Sequence, residues 1–210
     1  SVNRLLPDAV CPIIPSSFSG FPADPESVKS IRDQFPDKIL IGQVGSLFRI
    51  KGHHTTIEAA RMLQRERSDL AFVFLGKGPE LDNLRQQAAD VESVRFMGQQ
   101  SDIGSWLEAL DIMVFPSLQE GLGSTVLEAM QHGTPVVASN VGGIPDMIEH
   151  RKNGTLVEPE NPIALANAVR ELIVQPELPR KYVQLATSRL SRFSQKAVGE
   201  AYFDLYQSVI

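Results

Sequence analysis

Two acids, Glu120 and Glu128, stand eight residues apart in the stretch QEGLGSTVLEAM. Glu120 precedes two glycines, Gly121 and Gly123, and Glu128 lies among Val126, Leu127, Ala129 and Met130. A helix opening in this stretch carries Glu128 roughly 8 Å along its axis from the start. Free N–H groups at a helix start attract anions, and glycine lets a ligand come close to the backbone. A second pair, Gly142 and Gly143, also leads into a helix pattern. Two such starts in one cleft point to phosphate, and to a diphosphate in particular. Glu120 would repel a phosphate set directly against it, so its natural partners are neutral hydroxyls beside the phosphate. The offset of Glu128 matches the reach from a diphosphate to the ribose of its nucleoside. Ionised carboxylates accept paired hydroxyl donors well. The ligand that fits is hydroxylated at both ends and anionic between them: a nucleotide sugar. Taken singly, each acid also suits a structural role, Glu120 in a solvated loop and Glu128 on the wet stripe of a helix. A hydrolase pair fits poorly, because its two carboxyl groups must flank one bond.

The elements that would position these residues alternate. Apolar strand patterns run over 38–45, 70–75, 93–98, 111–117, 135–139 and 155–159. Helix patterns lie between them, opening at Thr55, Glu80, Ile103, Leu122 and Ile144. Strands apolar on both faces and alternating with helices predict a parallel sheet covered on both sides. The expected fold is α/β: a Rossmann-like parallel sheet of about six strands. Such sheets bind ligands beyond the carboxyl ends of their strands. That gathers the loops SLFRIKG, GKGPE, GQQSD, PSLQEGLG and SNVGGIP into one cleft. After Pro162 the chain turns helical, with Pro176 and Pro179 read as breaks before patterns over 180–189 and 195–210.

Composition narrows the classes. The chain has 210 residues, 42% of them hydrophobic, and a formal net charge of -5. An acidic balance argues against nucleic acid as a partner. One cysteine, Cys11, excludes a disulfide scaffold and a cysteine-rich zinc site, and a reducing compartment is the default. No apolar run reaches the length of a membrane span. The Pro- and Ser-rich opening, residues 1–37, reads as a linker and domain edge. GQVGSLFRIKG lacks the compact Gly-x-Gly-x-x-Gly of dinucleotide oxidoreductases.

The segment FPSLQEGLGSTVLEAMQHGTPVVAS, continued by VGGIPDMIEHRKNGTLVEP, resembles the retaining GT-B glycosyltransferases, in particular the glycogen-synthase-like group 1 of family four. The likeness runs from about residue 39 to 173, and more weakly to the end. It implies that this is one half of a GT-B fold, the C-terminal domain that binds the donor, over residues 38–190. It implies catalytic-site roles for Glu120, on hydroxyls of the transferred sugar, and for Lys51, on the diphosphate. Glu128 would hold the ribose. Gly121, Leu122, Gly123 and Ser124 would face the sugar and phosphates, with Gly142 and Gly143 nearby. Gly76 and Gly78 would line the base side, and the backbone at Met97 and Gly98 would read the base edge. The donor would be UDP-linked ahead of GDP-linked, with no further cofactor and no metal. Residues 191–210 would form a helix crossing to an N-terminal domain that holds the acceptor, be it glycan, lipid or small molecule. A cytoplasmic location is implied, with peripheral attachment to the inner membrane left open.

The pattern departs from the family at Ser46, where relatives commonly carry arginine; Arg49 stands three residues later as the candidate replacement. Of the four histidines, His53 and His54 either line the cleft or sit at a helix start on the surface, and His132 and His150 read as surface positions. Two other functions stay open: a nucleotide-sugar epimerase of the same shape, and a non-catalytic nucleotide-binding or interaction module.

Overall fold

A computed structural model describes residues 17–18 and 20–208. Residues 1–16, with Cys11 and most of the expected linker, and residues 209–210 lie outside the described residues. Six strands form one parallel sheet: β1 (Ile39–Val44), β2 (Leu70–Leu75), β3 (Val94–Gly98), β4 (Ile112–Phe115), β5 (Val136–Ser139) and β6 (Thr155–Val157), in the order β3-β2-β1-β4-β5-β6. The order reverses direction between β1 and β4, which opens the ligand crevice of such sheets there. In register, Ile41 and Gly42 of β1 face Ile112 and Met113 of β4.

Strand alternation divides the core into two layers. Leu40, Val44, Met113 and Phe115 point to one layer, with Trp106, Leu107, Val126 and Met130. Ile41, Phe72, Phe74 and Val114 point to the other, with Ile57, Leu63, Leu165 and Val169. The second layer is built by α2 (His53–Leu63), α3 (Leu81–Gln87) and α7 (Pro162–Val174). The first uses α1 (Pro25–Asp33), α4 (Ile103–Ala109), α5 (Ser124–Gln131) and the single-turn α6 (Ile144–Met147). α8 (Glu177–Leu190) reaches both layers, through Ala186 and Tyr182, and α9 (Gln195–Ser208) follows it. Among the described residues no helix is long and apolar enough to cross a membrane.

Two expectations need correction. The stretch read as linker contains α1, a nine-residue helix packed on α4. Its signal is local: Asp24 accepts from the Ser27 N–H at 3.0 Å, and Pro25 opens the helix where its missing N–H is harmless. Pro179 does not break the chain either; it sits in the first turn of α8, where no intrahelical donor is needed. Asp24→Ala is expected to lower stability, as loss of an N-cap does, read as an earlier midpoint in chemical denaturation; no change would show that α1 is held by packing alone.

Candidate functional site

The loops beyond β1 and β4 are pressed together. The Leu118 N–H donates to the Ile50 carbonyl at 2.7 Å. Gly52 has a left-handed backbone (φ 70°), and a Cβ there would lie 1.9 Å from the Pro116 carbonyl oxygen. This contact brings Lys51 to Glu120, Nζ to Oε1, at 2.5 Å. The Ser117 hydroxyl donates to the same carboxylate oxygen at 2.8 Å. Lys51 Nζ also stands 5.5 Å over the Phe115 ring. The Glu120 side chain is only 9% exposed. Glu120 is therefore not in a solvated loop, and its pairing with Lys51 is partly buried in this crevice.

Beside it, α5 starts at Ser124 with Gly123 as N-cap in a left-handed conformation (φ 79°) and no side-chain capping hydrogen bond. The first N–H groups of α5 thus carry the positive end of a helix with no side chain covering them. Gly121 is exposed, and a Cβ there would meet nothing within 4 Å. Leu122 and Gly123 are half-buried behind it. Glu128 lies on the second turn of α5, among its buried residues. Burial raises its pKa, an effect partly offset by a hydrogen bond with the Ser124 hydroxyl one turn back.

Gly142 and Gly143 have a different use from the one their spacing suggests. A Cβ on Gly142 would lie 2.0 Å from the Glu120 carbonyl oxygen, and the Gly143 N–H donates to the Gly121 carbonyl at 2.7 Å. The helix they lead into, α6, has four residues with Pro145 among the first two. The glycine pair buttresses the Glu120–Gly121 backbone, and the Gly143 N–H is already engaged.

At the carboxyl ends of β1 and β2 lies a cavity of about 620 Å³. Ser46, Gly76 and Gly78 line it, with Phe48, Gln99 and Ile103. A Cβ on Gly76 would lie 1.9 Å from the Gly45 carbonyl oxygen, so close loop approach explains that glycine. Met97 and Gly98 do not line the cavity. Their carbonyls accept from the Gln100 side chain at 2.6 Å and from the Gly76 N–H at 2.8 Å. Arg49 does not join Ser46: it lines a separate recess of about 20 Å³ with His53, His54 and Glu80. The expected replacement of a diphosphate-binding arginine by Arg49 therefore finds no support in the geometry. A hollow of similar size, about 590 Å³, opens at the amino ends of the strands, lined by Lys38, Arg65 and Arg95. It is remote from the paired acid and lysine, so the chemistry favours the carboxyl end.

His53 is not a surface residue. It is 2% exposed, neither ring nitrogen has a hydrogen-bond partner, and its ring packs edge-on against Phe74 at 5.2 Å. His132 is likewise covered: its Nε2 lies 2.8 Å from the Phe21 carbonyl oxygen, and its side chain is 8% exposed. Among the described residues no three His, Cys, Asp or Glu side chains converge as metal ligands. Sequence reasoning missed Ser117, Gln43 and Thr56, which hold the Lys51–Glu120 region from inside. The available signal was Gln43, a polar residue within the otherwise apolar strand ILIGQV.

Comparison with known proteins agrees with this architecture. The family model described as glycosyl transferases group 1 matches residues 26–189. The chain is 34% identical over 182 residues to a D-inositol 3-phosphate glycosyltransferase of Corynebacterium jeikeium, covering 81% of this chain and 43% of that relative. It thus spans under half the length of that protein. Anabaena Alr3699/HepE, solved with UDP and glucose, superposes with a TM-score of 0.80 at 26% identity, over 91% of this chain and 56% of that one. The C-terminal domain of a group 1 glycosyl transferase, LpcC of Francisella tularensis, gives a TM-score of 0.71 at 30% identity over 83% of this chain and 96% of that domain. The match to nearly all of an isolated C-terminal domain assigns the same half of the GT-B architecture here. The chain belongs to the group 1 glycosyl transferases.

Proposed function

We propose that this chain binds a nucleoside-diphosphate sugar, UDP-linked ahead of GDP-linked, as the donor half of a retaining glycosyltransferase. The single observation that carries the reading is the Lys51–Glu120 pair held beside the uncapped start of α5. Lys51 and the first N–H groups of α5 take the diphosphate, Glu128 takes the ribose, and the cavity beyond Gly76 and Gly78 takes the base. Glu120 exchanges its lysine for sugar hydroxyls when the donor arrives. The leaving diphosphate is stabilised by charge and helix dipole, which cost no reorganisation at the moment of reaction. Transfer goes to an acceptor hydroxyl held by an N-terminal domain, with residues 191–210 crossing towards it. The exposed Tyr202, Phe203 and Tyr206 of α9 suit that role. The UDP bound to Alr3699/HepE supports UDP as the first ligand to try.

Isothermal titration with UDP, GDP and their glucose conjugates tests the reading. Glu128→Ala is expected to weaken UDP and UDP-glucose alike, by roughly 10-fold or more, as loss of charged hydrogen bonds does. Glu120→Ala is expected to spare UDP and erase the preference for the sugar-bearing form. Equal losses for every ligand in both variants, or none in either, would overturn the assignment. Donor turnover by the full-length protein separates a transferase from a non-catalytic binding module.

A further inference from the structure

Gln43 is the anomaly of β1. It is the penultimate residue of an apolar strand and is 2% exposed, facing α2. A buried amide in a central strand has a desolvation cost that an aliphatic residue avoids. Its hydrogen bonds show what it does there. Its Nε2 donates to the Lys51 carbonyl at 2.7 Å. Its Oε1 accepts from the Thr56 hydroxyl, itself on α2 and fully buried, at 2.6 Å. The amide orientation is fixed by chemistry: a backbone carbonyl only accepts, so the atom facing Lys51 must be the NH₂ group. The threonine hydroxyl is then left to donate to the other side.

The Lys51 turn is held at three points. The Ile50 carbonyl accepts from Leu118, Gly52 abuts Pro116, and the Lys51 carbonyl accepts from Gln43. The first two are backbone contacts. The third is made by a side chain, and it acts on the residue whose ammonium meets Glu120. We propose that Gln43, braced by Thr56, is a positioning residue that sets the placement of the Lys51 ammonium between the Glu120 carboxylate and a ligand's diphosphate. The ligand half of this statement rests on the function proposed above; the placement of Lys51 does not.

The test therefore has two readouts. Gln43→Met keeps length and apolar volume in the strand but removes the donor. Without ligand, Lys51 Nζ stands 5.5 Å over the Phe115 ring, so the chemical shift of the adjoining ε-methylene protons reports where the side chain is held. In Gln43→Met that resonance is expected to move towards its unstructured position. If it stays where it is in the wild type, the inference is overturned whatever the chain binds. With UDP, Gln43→Met is expected to weaken binding by about 5-fold in the wild-type background and by under about 2-fold in the Lys51→Ala background, since residues in one network couple. An equal loss in both backgrounds would mean a general structural effect and would overturn it. A wild type that binds no nucleotide, together with a displaced Lys51 resonance, would remove the proposed function and leave the positioning role standing. Should Gln43→Met fail to fold, Thr56→Val takes its place in both readouts, because it removes the brace and leaves the strand intact.

Discussion

Gly52→Ala should lower the melting temperature sharply. Two costs coincide. The backbone at Gly52 is left-handed, with φ 70° and ψ 23°, and a Cβ there costs about 1–2 kcal/mol. The methyl would also lie 1.9 Å from the Pro116 carbonyl oxygen and 2.8 Å from its carbon, both backbone atoms that no rotamer change can move. Together these make a loss of about 3 kcal/mol or more, at the upper end for one substitution. For a domain of this size that is roughly 6–12 °C. Gly52→Asn separates the two causes. Asparagine tolerates the left-handed region but still carries the Cβ, so it should recover little. If asparagine restores most of the stability, the cause is backbone conformation and not contact with the β4 loop. Gly121→Ala is the control: a Cβ there meets nothing within 4 Å, and surface changes of that kind stay within about 0.5 kcal/mol. The loss at Gly52 should extend to ligand binding, since the same contact sets Lys51 against Glu120.

The contrast among these glycines marks where the sequence could be read and where it could not. The strands and their parallel sheet, covered on both faces, followed from apolar runs of the right length, because burial on both faces leaves a continuous hydrophobic signature. The acid pair on the α5 loop was legible because carboxylates are costly where packing alone decides. Glycines carry less information. Gly121 and Gly142 look alike in sequence, yet the first is open and the second presses on the Glu120 carbonyl. Only the distance to another loop tells them apart, and that distance depends on residues far along the chain. Arg49 fails for the same reason: its nearness to Ser46 in sequence does not bring it to the cavity that Ser46 lines. The helix α1 was in principle legible, since Asp24-Pro25 is a local start signal, but the surrounding prolines and serines masked it.

Stability should fall with acid, and His53 should account for much of the fall. Burial, then the charges of His54 and Lys51, hold its pKa down at about 3, against an ordinary value of 6.5. In the unfolded chain the ring binds a proton below about pH 6.5; in the folded chain it stays neutral until about pH 3. Between those values the unfolded state binds more protons, so stability drops as pH falls. The term is negligible above pH 7, reaches about 2 kcal/mol at pH 5 and grows until the folded-state value is crossed. Glu128 works in the opposite direction: burial raises its pKa, so its ionisation costs the folded state as pH rises. A single acid titration of the wild type mixes the two. Subtracting the same curve for His53→Phe isolates the histidine, because Glu128 is common to both proteins. The replacement suits the site, where the imidazole already packs against Phe74 with both nitrogens unpartnered. Replacing an unsatisfied buried polar ring by an apolar one should be neutral or stabilising at pH 8. The stability difference between pH 8 and pH 5, from urea denaturation, should then be smaller in His53→Phe by about 2 kcal/mol. Should phenylalanine overfill the space, His53→Leu gives the same subtraction. Parallel curves for wild type and both variants would mean that His53 is protonated in the folded chain, and that the ring has a partner or a route to solvent.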